Sequence, residues 1–116
     1  MIESDDAEMM AGLTGDELLR ALSALANPHR LRILAVLSGG RDYVSRLARV
    51  IQMSRPLLHM HLQRLEAAGL VIGTLELSDE GKAMKYYEVA PFALRLTPQT
   101  IAEAVKTLTD GEGGRE

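Results

Sequence analysis

Four stretches of helical periodicity, two extended runs and a last helical stretch predict a mainly α fold with a small β-hairpin. Two observations carry this prediction. Residues 54–71 have the caps and the narrow apolar stripe of a helix docked along one side only, followed at once by a strand. Basic side chains are concentrated in the same part of the chain. The order of elements, α-α-α-α-β-β-α, is typical of a winged helix-turn-helix.

The helix predicted between Ser54 and Gly69 is the most distinctive element. Ser54 can accept a hydrogen bond from a free first-turn amide, and Pro56 lies in that turn, where its missing N–H costs nothing. One apolar stripe recurs at i, i+4 and i+7, namely Leu58, Leu62 and Leu65. Gly69 supplies the left-handed residue that ends the helix. The opposite side is free to enter a groove of DNA, so we interpret this element as a recognition helix.

Three helices precede it. Thr14 and Glu17 form a capping box that opens the first, whose apolar face is Leu18, Leu22 and Leu25. Asn27 caps the second, with Pro28 at its first position, and Gly39-Gly40 ends it near residue 38. Asp42 is expected to cap a short third helix. A tight turn through residues 52–53 then completes the helix-turn-helix unit.

A hairpin and a last helix follow. Residues 70–77 and 83–89 are predicted strands, and the turn-forming residues between them make the wing. Residues 91–96 should be extended, with Phe92, Leu94 and Leu96 packed inward. Thr97-Pro98 caps the last helix, whose apolar side is Ile101, Val105 and Leu108.

The composition predicts one domain over residues 13–109, with a flexible N-terminus of residues 1–12 and a disordered tail of residues 110–116. The absence of cysteine excludes disulfides, thiolate metal sites and cysteine catalysis. No apolar run approaches the roughly 20 residues that span a bilayer. We therefore expect a cytoplasmic protein with no membrane partner.

The net charge of −3 conceals an uneven distribution. Residues 28–65 hold seven arginines against one acid, Asp42, whereas the segments on both sides are acidic. Affinity for duplex DNA comes largely from counterions released at phosphates, which requires a concentrated basic face. The basic segment coincides with the predicted helix-turn-helix, so double-stranded DNA is the expected partner.

The candidate DNA contacts follow from helical geometry. Arg55 and His59 lie in the first turns, which enter the groove deepest and can reach base edges. Gln63 and Arg64 are further along and suit phosphates. The complete predicted DNA-binding set is Ser54, Arg55, Leu57, His59, Met60, Gln63, Arg64, Arg41, Arg46, Arg49, Lys82 and Lys85. The last two are on the wing, beside the carboxylates of Glu76, Asp79 and Glu80, which would repel the DNA backbone.

Two side chains leave alternatives open. His61 falls near the core stripe, and it is either a partly buried histidine bonded to a backbone group or a base contact. Tyr86 and Tyr87 point to opposite faces of their strand, so one should be a core residue and the other a surface hydroxyl.

Two segments resemble the ArsR/SmtB family of repressors. Residues 24–34 (ALANPHRLRIL) are similar to the opening of that family's second helix, and residues 54–71 are similar to its recognition helix. MarR-type proteins share the wing but are usually longer. The resemblance implies a homodimer whose paired recognition helices bind an inverted-repeat operator. It places the interface on the first and last helices, here at Leu18, Leu22, Ile101, Val105 and Leu108, although Leu18 and Leu22 suit an ordinary core equally well.

The chain departs from the metal sensors of that family. Residues 43–51 contain no Cys or His, and the last helix offers only Glu103 as a ligand, so no metal site or cofactor is expected. Nickel or zinc would suit the remaining nitrogen and oxygen donors. A metal or ligand signal could instead arrive through a separate sensor protein. The competing hypothesis is a winged-helix protein-interaction module, favoured by the acidic wing and by Leu57 and Met60. No catalytic residues are predicted, and the chain is not expected to be an enzyme.

Overall fold

The computed structural model describes residues 13–109, which form five helices and three strands. In chain order these are α1 (Gly15–Leu25), α2 (Pro28–Leu37), β1 (Asp42–Tyr43), α3 (Val44–Ile51), α4 (Arg55–Ala67), β2 (Val71–Leu77), β3 (Ala83–Val89) and α5 (Pro98–Val105). The predicted mainly α fold with a hairpin is confirmed, with one strand added before the third helix. The predicted flexible segment 1–12 and disordered tail 110–116 lie outside the described residues.

These residues divide into two compact units. The terminal unit comprises residues 13–22 and 91–109, and the central unit comprises residues 23–90. The central unit contains the helix-turn-helix and the hairpin. Within residues 13–109, no helix has the length and apolar character needed to cross a membrane.

Side-chain caps start four of the five helices where the sequence predicts them. Thr14 and Glu17 form the reciprocal capping box, at 3.1 and 3.0 Å. The Asn27 carboxamide oxygen accepts two first-turn amides of α2, at 2.8 and 3.2 Å. The Ser54 hydroxyl accepts an amide of α4 at 3.3 Å, and Thr97 caps α5 at 3.0 Å. Each such cap contributes about 1 kcal/mol, so local sequence positions these helices.

The predicted cap of the third helix by Asp42 is wrong. Asp42 and Tyr43 form β1, which pairs antiparallel with Tyr87 and Tyr86 of β3. α3 begins only at Val44, and its N-cap residue makes no side-chain hydrogen bond to the helix. Pairing with a strand that lies far along the chain places Asp42 in the sheet, where its carboxylate accepts the N–H of Tyr43 at 2.9 Å and not an amide of α3.

The sheet has the strand order β1-β3-β2, and all its pairs are antiparallel. The hairpin of β2 and β3 is the predicted wing, with both strands within one residue of their expected bounds. Its loop closes where the Ser78 N–H donates to the Lys82 carbonyl at 2.7 Å, and Gly81 takes a φ of 83° that favours glycine.

The core of the central unit lies beneath α4, which contacts α2, α3 and β2. Its fully buried large side chains are Ile33, Leu47, Leu58, Leu62, Leu65, Leu70 and Tyr87. Tyr86 is half-buried on the other face of β3. The two tyrosines therefore lie on opposite faces of β3 with Tyr87 in the core, as predicted, whereas the predicted surface tyrosine, Tyr86, is half-buried.

In the terminal unit, α1 and α5 are held together at the start of α1. The Gly15 N–H donates to the Thr107 hydroxyl at 2.8 Å. The Asp16 carboxylate accepts the amide and the hydroxyl of Thr109, at 2.9 and 2.7 Å. Gly15 approaches α5 so closely that a Cβ at this position would clash with the Ala104 carbonyl oxygen.

Residues 91–97 have no regular secondary structure. Phe92 and Leu94 are half-buried, but Leu96 is 49% exposed, so its predicted inward packing is wrong. The reason is local, because the chain already bends into the cap of α5 at this point. The Thr100 hydroxyl donates to the Arg95 carbonyl at 2.8 Å and interrupts the alternation.

Candidate nucleic-acid interface

The helix α4 is buried along one side only. Leu58, Leu62 and Leu65 are completely buried, and His61 is 4% exposed. The opposite side is exposed to solvent and consists of Arg55, Pro56, Leu57, His59, Met60, Gln63 and Arg64. Every residue of α4 in the predicted DNA-binding set lies on this exposed side, as does the cap Ser54. The structure thus makes the set available to a ligand, while contact with DNA stays a prediction.

A three-residue turn sets the position of α4 relative to α3. Gln52 has a φ of 63° and a ψ of 55°, the left-handed conformation, which is rare for a residue with a side chain. It allows the Met53 N–H to donate to the Ala48 carbonyl of α3 at 3.0 Å. Ser54 then begins the next helix. Two short helices joined this closely are the arrangement that places a recognition helix in a major groove.

A basic cleft of about 530 Å³ lies between the start of α4, the start of α3 and the wing. Its lining residues are Tyr43, Val44, Ser45, Arg55, Lys82, Ala83, Met84 and Lys85. Three of the predicted DNA-binding cations therefore share one cleft. The first amides of α3 add partial positive charge, because no side chain caps that helix. The cleft is suited to an anion such as a phosphate group.

Tyr43 and Ser45 are cleft residues that the sequence did not single out. Because Asp42 was predicted to cap the third helix, residues 43–45 were interpreted as the first turn of that helix and not as part of a cleft. The preference of tyrosine for strands was the one indication of β1 in the sequence.

Arg41 holds the wing. Its guanidinium makes a bidentate ion pair with Glu76 of β2, with one N–O distance of 3.1 Å, and lies 4.2 Å from the centre of the Tyr86 ring. The hydrogen bond from Arg41 lowers the pKa of Glu76 below its ordinary value. One of the three wing carboxylates expected to repel DNA is thus compensated. Asp79 and Glu80 are exposed near the tip.

The other predicted backbone clamps differ in their surroundings. The Arg46 guanidinium lies 3.7 Å from the carboxylate of Asp42, which is four residues earlier in the chain. Arg49 is exposed in the last turn of α3. Within residues 13–109, no carboxylate forms an ion pair with Arg49, Arg55 or Arg64. Among the described residues, therefore, no paired carboxylate competes with a phosphate for these three guanidinium groups.

His61 is a core residue, so of the two alternatives the buried histidine is the one observed, although its hydrogen-bond partner is a side chain and not a backbone group. Its Nδ1 lies 3.2 Å from a guanidinium nitrogen of Arg30, which is itself only 8% exposed. Burial lowers the pKa of His61, and the charge of Arg30 lowers it further. The side chain of Arg30 is therefore part of the support of α4 and does not contribute to an exposed basic face.

The predicted dimer contacts come together in the terminal unit. They line a shallow apolar groove of about 190 Å³, whose residues are Gly15, Leu18, Leu19, Leu22, Ile101, Ala104, Val105 and Leu108. Ile101 is 46% exposed and Val105 is 55% exposed. Leu108 lies beyond the end of α5, directly after the turn at residues 106–107. Leu19, 58% exposed, belongs to the groove although the sequence analysis did not assign it.

No group of three or more His, Cys, Asp or Glu side chains converges to hold a metal ion within the part of the chain that the structure describes. The cleft is lined by cationic, apolar and hydroxyl-bearing side chains beside the first amides of α3.

Comparisons with known proteins agree on the class of this chain. A family model described as a helix-turn-helix domain matches residues 25–74. A helix-turn-helix-type transcriptional regulator of Methanocaldococcus jannaschii is 31% identical over 85 residues, which cover 73% of this chain and 88% of that protein.

Two solved structures from Mycobacterium bovis are also similar. One is the crystal structure of a possible transcriptional regulatory protein, at 28% identity and a TM-score of 0.60, covering 84% of this chain and 91% of that one. The other is the solution structure of a homodimeric winged helix-turn-helix DNA-binding domain from a possible ArsR-family regulator, at 30% identity and a TM-score of 0.58. It covers 76% of this chain and 70% of that one. The chain belongs to the ArsR-type winged helix-turn-helix transcriptional regulators.

Proposed function

We propose that this protein is a repressor that binds a specific double-stranded operator, an inverted repeat, as a homodimer. The observation that carries the proposal is the exposed side of α4, which begins at the basic cleft. Arg55 belongs to both, since it is the first residue of α4 and lines the cleft with Lys82 and Lys85. With the start of α4 in the major groove, Arg55 would reach base edges, and Lys82 and Lys85 beside it would be available to the phosphates.

The proposed roles along α4 follow its position in the groove. Arg55 and His59 contact base edges, and Gln63 and Arg64 contact phosphates. Leu57, which is 42% exposed, can pack against a thymine methyl group. Arg46 and Arg49 contact the DNA backbone from α3. Arg41 acts mainly through Glu76, by holding the wing in position.

The homodimer is proposed to form through the apolar groove of the terminal unit. Exposed Ile101 and Val105 are apolar side chains that a second copy would bury. The similar domain from M. bovis is homodimeric, which supports this assembly. A symmetric pair presents two recognition helices to successive major grooves, so its operator is an inverted repeat.

We propose that the protein is not an enzyme and has no metal cofactor of its own, so that any inducing signal comes from a small ligand or a separate sensor protein. The acidic N-terminal helix, which carries Asp16 and Glu17 in its first turn, is a surface on which such a protein could dock.

Fluorescence anisotropy with the DNA upstream of the gene tests the proposal. Arg55→Ala should cost about 1–3 kcal/mol of binding free energy, the value of one bidentate contact with guanine. Arg95→Ala makes the same change of charge on an exposed residue outside the central unit, and should leave the affinity unchanged. Binding by the wild type should fall steeply with salt, by roughly a thousandfold or more between 50 and 200 mM if six or more phosphates are neutralised.

A protein-interaction module is the second candidate function. Leu75 and Leu77 favour it, because they are 66% and 73% exposed on the wing. Such a module would bind duplex DNA weakly at every salt concentration. Binding that is weak at 50 mM salt and does not change at 200 mM would therefore contradict the repressor and support the module.

A further inference from the structure

The support of the recognition helix contains a buried polar pair. Arg30 of α2 is 8% exposed, and His61 of α4 is 4% exposed. The Arg30 Nε donates to the Ala24 carbonyl at 2.7 Å, and its Nη1 lies 3.2 Å from Nδ1 of His61. This pair joins α2 to the buried side of α4, and within residues 13–109 Arg30 and His61 are the two buried polar side chains of a core that is otherwise apolar.

The chemistry of the two groups determines the protonation state of the histidine. A guanidinium group has five donors and no acceptor, so Nδ1 of His61 must accept the hydrogen bond. The imidazole is then neutral, with its proton on Nε2. A second proton could bind only at Nδ1, and it would break the hydrogen bond and place two cations in contact.

Within residues 13–109, no acidic group acts on His61 to compensate for that second charge. The charged or titratable groups that act on His61 are Arg30 and His29 from α2 and Arg64 from its own helix, all of them cationic when charged. The His29 ring centre lies 5.6 Å from that of His61. Neither α3 nor β2, which also pack against α4, contributes a charge to this set.

We propose that Arg30 and His61 form a proton-sensitive latch, which holds the recognition helix at neutral pH and loosens its support when His61 is protonated. Weaker binding of duplex DNA in acid is the consequence, and this part rests on the proposed function.

The sign of the effect follows from linkage. Burial, Arg30 and the neighbouring cations lower the pKa of His61 from 6.5 in the native state, so the unfolded or opened state binds more protons. Stability is therefore complete above pH 6.5 and falls as the pH drops below it. Each pH unit lowers the equilibrium constant for the closed state by up to about tenfold, until the native ring also titrates.

A positive charge gained on the exposed side of α4 would act in the opposite direction, because it would strengthen binding to phosphates. Acid-weakened binding is thus a distinguishing sign of the latch.

Urea unfolding of the full chain between pH 8 and pH 5.5 tests the latch without any DNA. His61→Gln keeps an acceptor for Arg30 but cannot titrate, and His59→Gln removes an exposed imidazole as the matched control. The wild type and H59Q should lose stability in parallel below pH 6.5, and H61Q should lose much less. Equal slopes for wild type and H61Q would overturn the proposal. If H61Q fails to fold, nitrogen NMR of the wild type can measure the protonation of the His61 ring directly. A ring that carries its proton on Nδ1, or that titrates at or above pH 6.5, would refute the latch.

The DNA arm compares the anisotropy of wild type and H61Q on the upstream duplex at pH 7.5 and 5.5. Wild-type affinity should fall relative to that of H61Q, and an equal change in both proteins would refute the regulatory part. If neither protein binds at pH 7.5, the proposed function fails, while the urea series still decides whether the latch exists.

Discussion

At Gly15 the packing of the terminal unit leaves no room for a single added methyl group. A Cβ added at Gly15 would lie 2.8 Å from the Leu108 Cβ and closer still to the Ala104 carbonyl oxygen. Real Cβ atoms do not approach other atoms this closely, and the obstructing atoms are backbone or the root of a side chain. Gly15→Ala therefore requires α1 and α5 to separate.

The magnitude is a balance of two effects. Overpacking of this kind costs typically about 1–3 kcal/mol. Alanine in place of glycine gains up to about 1 kcal/mol in a helix interior, and less at the first residue of α1. The separation also lengthens the 2.8 Å hydrogen bond from the Gly15 N–H to Thr107. The net expectation is that Gly15→Ala lowers the free energy of unfolding by about 1–2 kcal/mol. In a domain of this size, each kcal/mol lost lowers the melting temperature by roughly 4–8 °C.

Chemical denaturation and thermal melting at one fixed protein concentration measure this loss. Gly39→Ala is the matched control, because a Cβ there would meet the Val36 carbonyl at an ordinary 3.5 Å. Gly39→Ala should be neutral or slightly stabilising. Equal stability of G15A and the wild type would refute the close approach of the two helices at Gly15.

Three further expectations follow from burial and charge. Leu62→Ala removes a completely buried side chain from the support of α4, and should cost about 2–5 kcal/mol in urea unfolding; a loss below 1 kcal/mol would contradict its core position. Hydrogen bonds from Thr109 lower the pKa of Asp16, so the stability they provide is present above pH 3.8 and is lost as the pH falls below it. Asp16→Asn should flatten this acid dependence, and an unchanged pH profile would argue against the contact. Val105→Glu, at a residue 55% exposed in the single chain, should leave the fold intact and shift light-scattering masses from dimer to monomer; a persistent dimer would place the interface elsewhere.

Much of the fold could be predicted because its signals are local. The caps at Thr14, Asn27, Ser54 and Thr97 act on amides two or three residues away, and each starts a helix where the sequence indicates it. The apolar stripe of α4 repeats within a few turns, so the exposed side of the recognition helix followed from helical periodicity alone. The wing followed from two extended runs around a turn with Gly81.

The features that the sequence did not reveal depend on residues far apart in the chain. The sequence around Asp42 predicts a helix cap, because it does not show that Asp42 pairs with β3 in the folded protein. Arg41 looks like a free cation until the hairpin brings Glu76 to its guanidinium. Neither Tyr87, the partner of Asp42, nor Glu76, the partner of Arg41, lies at a sequence separation that a local pattern could detect.

The arginines of the basic segment, residues 28–65, show the same difference between local and long-range information. Local spacing was enough to identify the helix-turn-helix and its charge, but all seven arginines look alike in the sequence. Folding buries Arg30 against His61, pairs Arg41 with the wing, and brings Arg55 to a cleft with two lysines. The use of each charge is decided by what folding places beside it, because the energy of a charge depends on its burial and its neighbours.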